Sequence, residues 1–323
     1  MPVLNAENIK AYYHLLDGDV QALEGATFTL EKGEVLGIAG ESGCGKSTLA
    51  ATLSTIILPP LRLLGGRLLT ENGDDIFKLP ERTLRREIRG KYVALVPQSA
   101  MNALNPTKKI KDLVTDAVSA HYPKITKREV VDTSAKRFDD VGLPSRVLES
   151  YSFELSGGMK QRTVIALSSL MNPRVLIADE PTSALDVSTQ KTVLNLLVKL
   201  RKKGIVESVI FITHDIAVLR QIADRIIVMY AGVIVEIAGV EEIIFKPLHP
   251  YSKGLMPTVI VPDPEVKKRA ISGIPGAPPN LKNPPAGCRF HPRCASARSE
   301  CGRDEPPLVN AEGRLVRCWL YAK

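Results

Sequence analysis

No apolar run in the sequence approaches the ~18–20 residues that a bilayer-spanning helix needs. The longest candidate, residues 226–235, is interrupted by Tyr230 and Gly232. The opening MPVLNAENIK lacks a basic stretch followed by an apolar one, so no secretory leader is read there. Internal repeats and low-complexity tracts are missing too, which excludes a repeat array. With 44% apolar and 24% charged residues, the 323-residue chain is neither disordered, nor collagen-like, nor a small disulfide scaffold. These absences predict a soluble, cytosolic protein with ample core.

What is present is unevenly spread. The formal charge is +8, yet residues 1–244 hold 30 Lys/Arg against 29 Asp/Glu. Residues 245–323 hold 13 against 6, with 13 of the 23 prolines and four of the five cysteines. Composition therefore proposes a balanced body, 1–245, followed by a basic, Pro- and Cys-rich extension, 246–323.

Short runs rich in Val and Ile recur along the body at Val35–Ala39, 92–96, 175–178, 209–213 and 225–228. Helical patterns lie between several of them, as in Val187–Lys202, where Val193, Leu194, Leu197 and Leu200 share a face. Continuous apolar strands alternating with helices predict an α/β fold with a largely buried parallel sheet. From about 99 to 172 there is no convincing strand. Helical patterns at Ile110–Ser119 and 127–141 mark this part as a helical insertion.

Gly40-Glu41-Ser42-Gly43-Cys44-Gly45-Lys46-Ser47 fits G-x-x-x-x-G-K-[ST] at every specified position. It follows a predicted strand and opens a predicted helix, 47–57, as the motif requires. Glycines let backbone N–H groups point inward as a nest for phosphate oxygens, and the helix N-terminus adds partial positive charge. The candidate contacts are Gly40, Ser42, Gly43, Cys44, Gly45, Lys46, Ser47 and Thr48. Lys46 would reach the β- and γ-phosphates and Ser47 would ligate Mg2+. Cys44 reads as a space-filling residue of the loop. Val175-Leu176-Ile177-Ala178-Asp179-Glu180 is an apolar strand ending in two acids, where ligands bind in open α/β sheets. Asp179 is placed to hold Mg2+ and Glu180 to polarise the attacking water.

Leu155-Ser156-Gly157-Gly158 precedes that strand. With the two motifs above, the chain resembles an ATP-binding cassette (ABC) nucleotide-binding domain, whose signature is LSGG. Gln98 after an apolar strand matches the family's Q-loop, Ser183-Ala184-Leu185-Asp186 its D-loop, and His214 its switch histidine. The resemblance implies a P-loop NTPase cassette with a mixed sheet core, an antiparallel β subdomain and a helical subdomain. It also implies head-to-tail pairing, with ATP held between one phosphate loop and the partner's signature. Ser156, Gly157 and Gly158 would then face the partner's γ-phosphate, and Asp186 would sit at the interface. His214 would bond the γ-phosphate beside Glu180, and Gln98 would link metal and phosphate to the helical insertion. The family stacks adenine on an aromatic near the end of the first strand; Tyr12 and Tyr13 both fit, and Tyr12 is favoured. Intact Lys46, Asp179, Glu180 and His214 argue against a non-enzymatic regulatory cassette.

Met101-Asn102-Ala103-Leu104-Asn105-Pro106 and Phe245-x-x-x-His249-Pro250-Tyr251 narrow the resemblance to ATPase subunits of oligopeptide/dipeptide importers, of the D type. After Gln98, Ser99-Ala100 replaces the family's common Asp-Pro. This branch implies two membrane permease subunits as separate chains, an F-type ATPase paralogue as heterodimer partner and, indirectly, an extracellular solute-binding protein. It places the subunit at the cytoplasmic face of the cell membrane. The alternative is a soluble ABC ATPase of translation or DNA repair. A single cassette, no heptad insertion and a tail without interleaved aromatics count against that and against nucleic acid as a partner.

Cys288-x5-Cys294-x6-Cys301-x16-Cys318 lacks the paired C-x2-C knuckles of common zinc sites and the usual ferredoxin spacing, so the pattern leaves any metal open. The importer resemblance implies a 4Fe–4S cluster on these four thiols, with zinc as the alternative. Arg289, Arg293 and Arg317 would offset the cluster's charge.

Overall fold

A computed structural model of the chain describes residues 2–183, 185–256 and 273–322. Ala184 of the D-loop motif and part of the extension, 257–272, lie outside the described residues.

The chain opens with two 14-residue strands, β1 (Pro2–Leu15) and β2 (Gly18–Glu31), paired antiparallel. After β3 (Val35–Ala39), β4 (Leu61–Thr70) joins the other edge of β1, giving a three-stranded sheet of order β2-β1-β4. Leu4, Ala6, Ile9 and Ala11 are fully buried, while Asn5, Glu7 and Lys10 between them stay partly exposed. That alternation is broken by register shifts along β1, which blur its period-2 pattern.

The larger sheet adds β5 (Val93–Val96), β6 (Val175–Asp179), β7 (Ser208–Ile212), β8 (Arg225–Tyr230), β9 (Val233–Gly239), β10 (Leu308–Ala311) and β11 (Arg314–Arg317). Its order is β10-β11-β9-β8-β3-β7-β6-β5, parallel from β5 to β8 and antiparallel beyond. β3, β6 and β7 are buried at every residue because both sheet faces are covered. In β3, Val35 and Ala39 face a core that includes the helical insertion and the extension. Leu36 and Ile38 face a second core shared with β1, β2 and β4.

Between residues 99 and 172 the described structure is helical, with helices Ile110–Ser119, Lys127–Asp140 and Gly157–Ser168 and one isolated bridge, Lys109 to Tyr151. Thr126 caps the second with a reciprocal bond to Glu129, a capping box. The helix after the phosphate loop is shorter than expected, Lys46–Leu53. Ser54 turns its hydroxyl back onto the Ala50 carbonyl (2.7 Å), and Thr55 takes φ +59°, which ends the helix.

The extension is built into the same sheet. β11 pairs with β9 through Leu315–Ile237 and Val316–Glu236. Phe290, buried, packs edge-on to Tyr230 (5.1 Å between centroids) and Tyr251 (5.4 Å). Full burial of such a ring contributes about 1.5–3 kcal/mol. Buried Arg289 donates to the carbonyl of Ala231 (2.6 Å), and Arg317 to that of Ile234 (3.1 Å). No helix among the described residues is long and apolar enough to cross a membrane.

Candidate active site

The phosphate loop runs from the end of β3 into helix Lys46–Leu53. Two of its glycines have no substitute. A Cβ on Gly40 would lie 2.3 Å from the Met229 carbonyl oxygen, and one on Gly45 2.2 Å from that of Ala22. Both also take positive φ, +154° and +104°. Lys46 is buried and its Nζ donates to the carbonyls of Gly40 (2.7 Å) and Glu41 (2.9 Å). The Cys44 thiol, 3.7 Å from that ammonium, is buried, and burial pushes its pKa up.

Asp179 closes β6 beside the loop. Burial raises its pKa, partly opposed by a hydrogen bond from the Ser47 hydroxyl and by the charge of Lys46. Its Oδ1 is buried without a hydrogen-bond partner. An unsatisfied carboxylate oxygen next to a serine hydroxyl is an oxygen donor set suited to a hard cation such as Mg2+.

Glu180 follows with φ +47°, a left-handed conformation costing about 1–3 kcal/mol for a residue with a side chain. It is held there by its N–H, which donates to the Ile212 carbonyl (2.9 Å), and by Ser183, whose N–H and hydroxyl donate to its carbonyl (3.1 and 2.9 Å). Its side chain is then aimed between two partners. Gln98 Nε2 donates to Oε2 (3.4 Å), and His214 Nδ1 lies 3.3 Å from Oε1.

A cavity of about 270 Å3 joins these parts, lined by Ser42, Gly43, Gly45, Lys46, Ser47, Thr48, Gln98, Glu180, Tyr13, Val20, Ala22 and Leu281. Tyr13, its hydroxyl 3.1 Å from Thr48 Oγ1, belongs to it; Tyr12 does not. The Tyr12 hydroxyl instead donates to Glu24, and burial with that carboxylate pushes its pKa up to about 12. The preference for Tyr12 as base platform therefore moves to Tyr13. Adjacent residues on a strand face opposite ways, and sequence alone did not fix which one turns inward.

Ser156, Gly157, Gly158 and Asp186 stand outside the cavity. Ser156 caps helix Gly157–Ser168 by accepting from the Met159 N–H (3.3 Å), and both Ser156 and Gly157 are exposed. Asp186 caps helix Val187–Lys202. Bonds from Thr189 N–H (3.0 Å) and Oγ1 (2.6 Å) hold its carboxyl below the usual range.

The expected 4Fe–4S cluster, and zinc in its place, is overturned. Among the described residues no group of three or more His, Cys, Asp or Glu side chains could hold a metal ion. The four thiols are free. Burial pushes Cys288 up to about 11 and raises Cys294 and Cys318, so the protonated forms are favoured. The arginines expected to offset a cluster are engaged elsewhere. Arg289 and Arg317 hold body carbonyls, and Arg293 pairs with Glu41.

A phosphate loop, a paired-acid strand end and an exposed LSGG helix start, on a mixed sheet with a helical insertion, define a cassette-type P-loop ATPase. Residues 23–183 match the family model for ABC transporters, and residues 235–301 that for the oligopeptide/dipeptide transporter C-terminal region. The chain is 41% identical over 321 residues to the dipeptide transport ATP-binding protein DppD of Caldanaerobacter subterraneus, covering 99% of this chain and 97% of that one. It is 39% identical over 322 residues to the oligopeptide transport ATP-binding protein OppD of Bacillus subtilis, covering 98% and 88%. A dimeric ATP-binding cassette solved in a post-hydrolysis state with ADP and phosphate superposes with a TM-score of 0.64 at 25% identity, covering 73% of this chain and 98% of that one. The chain belongs to the ABC transporter family, in its oligopeptide/dipeptide branch.

Proposed function

We propose that this chain is the ATP-hydrolysing subunit that powers import of peptides or a related small solute through a separate membrane permease. The observation that carries the reading is Glu180, held in a strained conformation beside the phosphate loop between Gln98 and His214. A carboxylate so placed accepts a proton from water attacking the γ-phosphate. His214 holds that carboxylate in place and donates to the phosphate. Lys46 releases its loop carbonyls to meet the β- and γ-oxygens, and the loop N–H groups supply the rest of the nest. Ser47, Asp179 and Gln98 would hold Mg2+, which when bound offsets phosphate charge. Tyr13, lining the same cavity, serves as the base platform.

The exposed signature helix start is an anion site for a second cassette's nucleotide, so the working unit is a dimer. Its partner is an F-type paralogue; the relatives of this chain include both OppD and OppF of Escherichia coli. The pair docks on two permease subunits at the cytoplasmic face of the membrane, gripped through the helical subdomain, 99–172. A solute-binding protein delivers cargo on the far side. Residues 1–245 act as the cassette and 246–323 as an extension specific to this branch.

Glu180→Gln tests the reading. The variant should bind ATP, accumulate as an ATP-bound dimer on gel filtration and turn over at least ~100-fold more slowly, the lower end of the range for losing a positioned base. Near-normal phosphate release would remove Glu180 from its role.

A further inference from the structure

The phosphate loop is gripped from outside by the extension. Arg293, whose side chain is only 6% exposed, makes a two-pronged ion pair with Glu41: Nη1 to Oε2 at 2.8 Å and Nη2 to Oε1 at 3.1 Å. The guanidinium is itself fixed, donating to the Pro275 carbonyl (2.8 Å) and the Tyr230 hydroxyl (3.3 Å). Fully buried Tyr251 accepts from the Glu41 N–H (2.9 Å). The Glu41 carbonyl in turn accepts from Lys46 Nζ. One loop residue is therefore pinned at side chain, N–H and carbonyl. The first two pins come from residues beyond 245, and the same region supplies Leu281 to the cavity wall.

We propose that Arg293 is a positioning residue for nucleotide binding, acting through Glu41. Two effects follow from the geometry. A two-pronged guanidinium–carboxylate pair fixes orientation as well as distance, so the loop meets phosphate already shaped and loses little freedom on binding. The pair also cancels a carboxylate standing in a loop that must receive a highly charged anion, where an unpaired negative charge would oppose binding. Arg293 thus ties the extension to the ATP site without touching substrate.

This rests on the loop being the nucleotide site, so the experiment measures the wild type first. In the full chain, Arg293→Gln should weaken binding of a fluorescent ATP analogue about tenfold and raise KM for ATP similarly, with kcat within about twofold. Glu41→Gln added to Arg293→Gln should recover most of the lost affinity, because the uncancelled carboxylate is gone. Arg293→Lys should fall between, keeping charge without the two-pronged fit. A purely structural role for Arg293 predicts a lower Tm and lower kcat with unchanged KM, and no recovery in the double variant. That result, or wild-type affinity in Arg293→Gln, would overturn the proposal. If the wild type itself bound no nucleotide, the reading of the loop would fail instead.

Discussion

His249 should make the stability of this protein depend on mild acid in a way one substitution abolishes. Its imidazole is buried, and both ring nitrogens are committed. Nδ1 accepts from the Tyr251 N–H (3.0 Å), and the ring is also bonded to the Arg317 backbone. That arrangement suits a neutral ring with its proton on the Arg317 side. A second proton would go on Nδ1 and point at another N–H. Burial, first, and the charge of Lys253 push its pKa from 6.5 down to about 3, with the Arg317 bond opposing. The unfolded chain therefore takes up a proton below its ordinary value that the folded chain refuses. Stability contributed by neutral His249 is complete above pH 6.5 and falls as pH drops toward 3. With ~1.4 kcal/mol per unit of displacement, the loss between pH 8 and pH 5 is about 2 kcal/mol. His249→Asn keeps an acceptor for Tyr251 but cannot titrate. Urea unfolding across that range at fixed salt should show the wild type losing about 2 kcal/mol more than the variant, beyond what other titrating groups contribute equally to both. Parallel pH profiles would refute the reasoning.

Gly45→Ala should abolish ATP binding, since the added carbon collides with the Ala22 backbone oxygen; equilibrium dialysis with labelled ATP checks this, and retained affinity would refute it. Thr126→Ala removes the hydroxyl that accepts from the Glu129 N–H, leaving only the Glu129 carboxylate on the backbone N–H of residue 126, and thermal or urea melts should show a loss of about 1 kcal/mol with little change in turnover.

The parallel strands were legible because burial on both faces writes them as unbroken apolar runs: Val35–Ala39 needed no other clue. The phosphate loop and Glu180 were legible because each stands at the end of an apolar strand, where the fold brings ligand groups together, whereas Gln98 and His214 were named only through the family resemblance; both lie within 3.4 Å of Glu180. β1 and β2 were not, because bulges shift their alternation between polar and apolar. The β10–β11 hairpin was missed despite a readable turn, Glu312-Gly313, where both residues take positive φ. Arg293 was assigned to the cysteines beside it in sequence, whereas its partner Glu41 is 252 residues away. The cysteine reading failed on other grounds. Cys288, Cys294, Cys301 and Cys318 do line one small pocket, yet among the described residues no group of three or more ligating side chains is placed to hold a metal ion.

β11 has a consequence for the life of the chain before it is complete. β9 would be an open sheet edge, rich in Val and Ile, until residues 314–317 arrive to pair with it. β10 then becomes the outermost strand, only four residues long and following Pro306-Pro307, a blunt end that offers little to a neighbouring chain. A cut ahead of residue 308 would leave the cassette with a bare templating edge, so protection against edge-to-edge association rests on the β9–β11 pairing.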